Sequence, residues 1–183
     1  RGPLDPAWPA RLARGVRLHR RVDSWTDAHP LALQARRRFE APFRRYAGVL
    51  LDVWFDHLLA RDFARWSQGE SLRAFADRCH GVLLRAVTAT PAIAWPPAFV
   101  VYVHRLARHD GIVAYADAAH AEAVLEHIGQ RLRRANPLGV ALPVLESLQA
   151  PLQRDFEAFM PELIGFAHAE GAGEAGVASA AVQ

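Results

Sequence analysis

Val49-Leu50-Leu51-Asp52-Val53-Trp54-Phe55-Asp56-His57-Leu58-Leu59 is the stretch on which the fold turns. Eight of these eleven residues are apolar, and neither Pro nor Gly interrupts them. Wound at 3.6 residues per turn, the apolar side chains wrap nearly the whole surface, which predicts a helix buried almost all round. Asp52 and Asp56, four apart, then share one face. His57 follows ~100° further round and leans toward the same edge. Ionised carboxylates in apolar surroundings are costly unless something pairs with them. The pattern therefore asks for a cationic partner, either a divalent ion or a buried arginine.

A second segment, His19-Arg20-Arg21-Val22-Asp23, repeats the arrangement, with His19 and Asp23 on one face and Asp27 just beyond. Two helices packed with these faces together offer the imidazoles of His19 and His57 and the carboxylates of Asp23, Asp52 and Asp56. Imidazole and carboxylate together suit Mn, Fe, Zn or Mg. Such an ion would offset charge on a phosphoryl oxygen. The residues alone leave a plainer reading open. His19 and Asp23 at i,i+4 form a common surface pair, and Arg20 or Arg21 could answer Asp52 and Asp56. Arg20 and Arg21 equally fit a phosphate, which a guanidinium grips through a rigid fork of donors, or an acidic protein.

The 183 residues are 51% hydrophobic and 22% charged, values of a globular chain with a core of its own. Ala and Leu dominate and β-branched residues are scattered, which predicts an all-α fold. Every basic residue is arginine. Residues 1–90 carry 16 Arg against 9 acids, and residues 91–183 carry 6 against 10, giving +7 and −4 within the overall +3. The basic half holds both motifs, which suits an acidic or phosphorylated partner. The run Arg36-Arg37-Arg38 and the pair Arg44-Arg45 read as a solvated face or a docking surface. Nucleic acid is not the expected partner, since no aromatics interleave the arginines. The single cysteine, Cys79, rules out a disulfide within the chain and points to a reducing cytoplasm. No apolar run reaches the ~18 residues of a membrane span, and no secretory pattern is visible.

Along the chain, Pro3, Pro6 and Pro9 mark an irregular lead-in. Helices are predicted over about 10–25, 31–39, 43–60 and on toward Trp66, 72–88 with Ser71 as N-cap, 98–108, one or two within 113–134, and 143–168. Pro30 and the proline-rich link from Thr90 to Pro97 break the pattern. The expectation is a single helical domain of six to eight helices over residues 1–168, with a disordered tail over 169–183. His104, His109 and Asp110 form a further polar cluster that reads as a helix-ending turn. There is no glycine-rich phosphate loop and no nucleophile elbow.

The run Gly15-Val16-Arg17-Leu18-His19-Arg20-Arg21-Val22-Asp23-Ser24-Trp25-Thr26-Asp27, followed by Leu51-Asp52-Val53-Trp54-Phe55-Asp56-His57-Leu58-Leu59, resembles the acyl carrier protein phosphodiesterase family. Weaker similarity continues through Ile112-Val113-Ala114-Tyr115 and Phe156 to Phe159-Met160-Pro161. The resemblance implies a helical bundle distantly related to the His-Asp metal-dependent phosphohydrolases. It implies hydrolysis of the phosphodiester that joins 4′-phosphopantetheine to a serine of holo-acyl carrier protein, and a place in fatty acid biosynthesis. It further implies a divalent cofactor, Mn2+ or Mg2+, for which His19, Asp23, Asp52 and Asp56 are the ligands expected from the residues. His57, Arg20 and Arg21 would then be catalytic, and an acidic acyl carrier protein the partner. This sequence begins after the family's usual first segment, which carries Asn-(aromatic)-Leu-Ala-His and a Gly…Asp pair. Two alternatives stand beside this reading. One is a small-molecule or nucleotide phosphohydrolase on the same scaffold. The other is a non-catalytic arginine-rich module that docks acidic proteins.

Overall fold

The computed structural model describes residues 3–4, 8, 10–89, 95–108 and 110–180, with side chains through 172. Those residues are all-α, as composition predicts. Ten helices follow in order: α1 (Ala10–Ala28), α2 (Pro30–Arg36), α3 (Ala47–Arg61), α4 (Phe63–Trp66), α5 (Leu72–Ala89), α6 (Pro97–Arg108), α7 (Gly111–Ala114), α8 (Ala118–Arg131), α9 (Leu142–Ser147) and α10 (Gln149–Ala180). Single 3₁₀ turns lie at Phe43–Tyr46 and Leu138–Val140.

Local chemistry explains why the count exceeds the predicted six to eight. α1 continues past Trp25 to Ala28, because only His29, the residue before Pro30, has to leave the helix. The stretch expected as one helix from 43 toward 66 divides at Asp62. That expected within 113–134 divides before Asp117, whose carboxylate accepts the Ala119 N–H at 3.0 Å and caps α8. Ser71 accepts the Ala74 N–H at 3.2 Å and caps α5 as predicted. The last helix starts later than Pro143, after the short α9, and reaches Ala180 rather than His168. Most of the lead-in and residues 90–94 of the proline-rich link lie outside the described residues.

Contacts gather the chain into two compact units, residues 1–35 with 151–183 and residues 36–150. In the first, α10 buries Leu152, Phe156, Phe159 and Met160 along one stripe, and α2 buries Ala32 and Ala35. Trp25 of α1 stacks on Phe166, with ring centroids 4.9 Å apart. His29 is buried beside Trp25, accepts the Leu31 N–H on Nδ1, and approaches Glu162 through Nε2 at 3.2 Å.

In the second unit α3 packs on α8, and α5 packs on α6 and α7. Phe39, Leu50, Leu51, Val53, Trp54 and Leu58 are buried, as are Ala121, Leu125, Leu138 and Leu145. Leu132, just past the C-terminal end of α8, is 43% exposed. Asn136 closes the following turn, donating from Nδ2 to the Gly129 and Arg134 carbonyls and accepting the Leu138 N–H on Oδ1.

α3 overturns one expectation, for it is not buried all round. Leu50, Leu51, Val53, Trp54, His57, Leu58 and Ala60 are buried, while Gly48, Asp52, Phe55, Asp56 and Leu59 form an outward stripe. The Asp52 side chain is 65% exposed. Water answers much of the carboxylate charge that the sequence assigns to a buried partner.

Candidate functional site

On the outward stripe of α3, Asp56 meets a cleft of about 420 Å³. Leu59 of the same helix continues the wall, Phe63 and Phe75 close one side with rings 4.9 Å apart, and Tyr102 and Tyr115 stand on others. Asp56 is thus an acidic group at the edge of an otherwise apolar and aromatic recess. Crowding by those walls, and then the negative charge of Asp52 one turn back, push its carboxyl from 3.8 up to about 6. Burial, with the charge of Asp56 next, raises the Tyr115 phenol.

His57 points the other way. It is buried on the inner side of α3, against the Trp54 ring, and Nδ1 donates to the Tyr115 carbonyl at 2.9 Å. One residue of rotation separates the acid on the cleft from an imidazole that anchors the cleft's wall. His57 therefore does not lean toward the aspartates, as the sequence suggests.

His19 and Asp23 face each other across one turn of α1, Nε2 to Oδ2 3.5 Å, with side chains 71% and 44% exposed. Both belong to the first unit, Asp52 and Asp56 to the second. Arg21 forks onto Glu170, with Nη2 2.6 Å from Oε1. Arg36, from the run read as a solvated face or a docking surface, lies 3.9 Å from Asp52. Arg20 is half-buried, and its carbonyl accepts the Ser24 hydroxyl.

A His/Asp group able to hold a metal lies elsewhere, at Asp77, His80 and Asp110, with one candidate ligand atom from each within 4.8 Å of the others. Only Asp110 features in a cluster the sequence suggests; His109 lies outside the described residues, and His104 is exposed. Arg73 holds Asp110 at 2.6 Å and keeps its carboxyl below the usual range. The one signal for the remainder is Asp77 and His80 three residues apart on α5, a spacing that puts them on one side of a helix.

Fold and site together define an all-helical protein with a carboxylate on the rim of an apolar cleft. The family model described as acyl carrier protein phosphodiesterase matches residues 1–163. The chain belongs to the acyl carrier protein phosphodiesterase family. A relative of that name from Photorhabdus laumondii is 30% identical over 164 residues, covering 90% of this chain and 80% of the relative. Relatives of the same name from Yersinia enterocolitica and Yersinia pestis are 28% and 29% identical, each over 90% of this chain and 82% of their own length. No solved structure matches the chain. Among the described residues no helix is long and apolar enough to cross a membrane.

Proposed function

We propose that the chain hydrolyses the phosphodiester between 4′-phosphopantetheine and the carrier serine of holo-acyl carrier protein. Water supplies oxygen to phosphorus, the bond from phosphorus to the serine oxygen breaks, and the serine hydroxyl is restored. The family match over residues 1–163 carries this reading. The cleft supports it. The methylene and gem-dimethyl stretches of a slender pantetheine arm suit walls of Leu59, Phe63 and Phe75, and its phosphate end belongs at the polar rim near Asp56. Exposed Arg37, Arg44 and Arg45 of the second unit supply positive charge toward an acidic carrier.

A divalent cation, Mn2+ or Mg2+, fits the donor chemistry. Asp52 raises the carboxyl of Asp56, a mutual repulsion that a bound cation would relieve. Asp52 and Asp56 are the residues we assign to it on α3, and the family motif gives His19 and Asp23 of α1 a metal-binding role as well. When bound it would neutralise charge on the phosphoryl oxygens. Arg20 and Arg21 add guanidinium donors of the kind that grip phosphate; Arg21 must exchange Glu170 to do so. His57 acts from the inner side of α3, where it also holds Tyr115 against the cleft.

The test is mass spectrometry of holo-acyl carrier protein incubated with the chain and Mn2+. Conversion to the apo form with release of phosphopantetheine is the expected result. Cleavage of nucleotide diesters with no conversion of the carrier would replace this reading with that of a small-molecule phosphohydrolase. Binding of the carrier with no cleavage of either would leave a docking module.

A further inference from the structure

We propose that Asp77, His80 and Asp110 bind a first-row divalent cation of the zinc or manganese kind, at a site separate from the motif residues of α1 and α3. Asp77 and His80 sit one turn apart on α5, and Asp110 immediately precedes α7, which packs against α5. Their candidate ligand atoms lie within 4.8 Å of one another. Donors around an ion with bonds of ~2.1 Å span ~3–4 Å, so a small inward movement of the exposed Asp77 completes the set.

His80 is the observation that separates this cluster from an ordinary acidic patch. Its side chain is buried, 6% exposed, and Nε2 has no hydrogen-bond partner among the described residues. A buried ring nitrogen left without a partner is costly. An imidazole beside two carboxylates loses that cost when it coordinates a cation.

The charges agree. Arg73 is bonded to one oxygen of Asp110 at 2.6 Å. One guanidinium against two carboxylates leaves the cluster anionic. Arg73 then plays the part of an outer partner that fixes a ligating carboxylate. Asp110 has a left-handed backbone, φ 49° and ψ 37°, which an Asp tolerates and which turns the chain into α7. One imidazole with two carboxylates favours Zn, Mn or Fe over Ca, whose sites are built of oxygen alone.

The test is calorimetric titration of Zn2+ into chelator-treated protein bearing Asp52→Asn and Asp56→Asn, so that no zinc seen is held by α3. One equivalent should bind. Adding Asp77→Asn or His80→Gln should weaken it roughly tenfold or more, since even outer partners of a metal are worth 10–100-fold. Asp77 is exposed, so Asp77→Asn should melt as its parent does even if His80→Gln misfolds. Failure of the parent to bind zinc, or the same affinity with and without Asp77→Asn, would overturn the site.

Discussion

Replacing Asp56 with Asn should make the chain more stable and, if the proposed function is right, inactive. In the folded chain Asp56 ionises near 6, against 3.8 for the free side chain. A carboxylate held that way behind a sealed surface would cost about 3 kcal/mol at neutral pH. Asp56 lies on the exposed stripe of α3, and solvent screening reduces the cost to about 1 kcal/mol. Because the folded value is raised, the native state binds the proton more tightly than the unfolded chain. Stability is therefore greatest below about 4, falls as pH rises toward 6, and is level above it. Asp56→Asn removes that penalty, so its advantage should be absent near pH 4 and complete by pH 8. In a chain of this size 1 kcal/mol corresponds to about 2–4 °C in Tm. Thermal melts of both proteins from pH 4 to 8, with chelator present throughout, read the difference directly. A variant that melts lower at pH 8, or whose advantage is the same at pH 4, would refute the electrostatic account of the cleft.

Two further outcomes follow from single contacts. Asn136→Ala removes three hydrogen bonds that close the turn between α8 and the 3₁₀ turn at Leu138, leaving the Gly129 carbonyl and the Leu138 N–H without that partner; urea unfolding should show a loss of about 1–3 kcal/mol. Arg21→Ala breaks an exposed fork to Glu170, so stability should change by less than about 1 kcal/mol. Its effect should instead appear as a raised KM for holo-acyl carrier protein, and a wild-type KM would remove Arg21 from substrate recognition.

The all-α class was legible because Ala and Leu dominate and β-branched residues are sparse; even the cluster Phe99-Val100-Val101-Tyr102-Val103 is carried by α6. Helix breaks were legible where a side chain or ring enforces them, at Pro30 and Ser71. Asp117 shows the limit, since a cap inside a periodic stretch looks like one more polar residue. The partial exposure of α3 is hidden in the sequence for a similar reason. Phe55 and Leu59 count as core in a helical projection, yet they share the outward stripe with Asp52 and Asp56, and Leu59 walls the cleft. An apolar side chain facing a cleft and one facing the interior are indistinguishable without neighbours. Both motif pairs keep the helical spacing read from the sequence. What spacing could not supply is long-range pairing: Arg36 beside Asp52, Glu170 on Arg21, and Asp110 brought to Asp77 and His80 from the turn before α7. Those contacts join segments that only the folded backbone brings together.

The bond from His57 to the Tyr115 carbonyl has a consequence for proton traffic. A carbonyl oxygen can only accept, so the hydrogen must reside on Nδ1, and the uncharged ring is committed to one tautomer with its lone pair on Nε2. Flipping the imidazole would put the Cδ2 edge at the carbonyl and forfeit that bond. Any proton His57 gives or takes therefore passes through a single, oriented nitrogen, while the opposite edge of the ring stays fastened to the backbone.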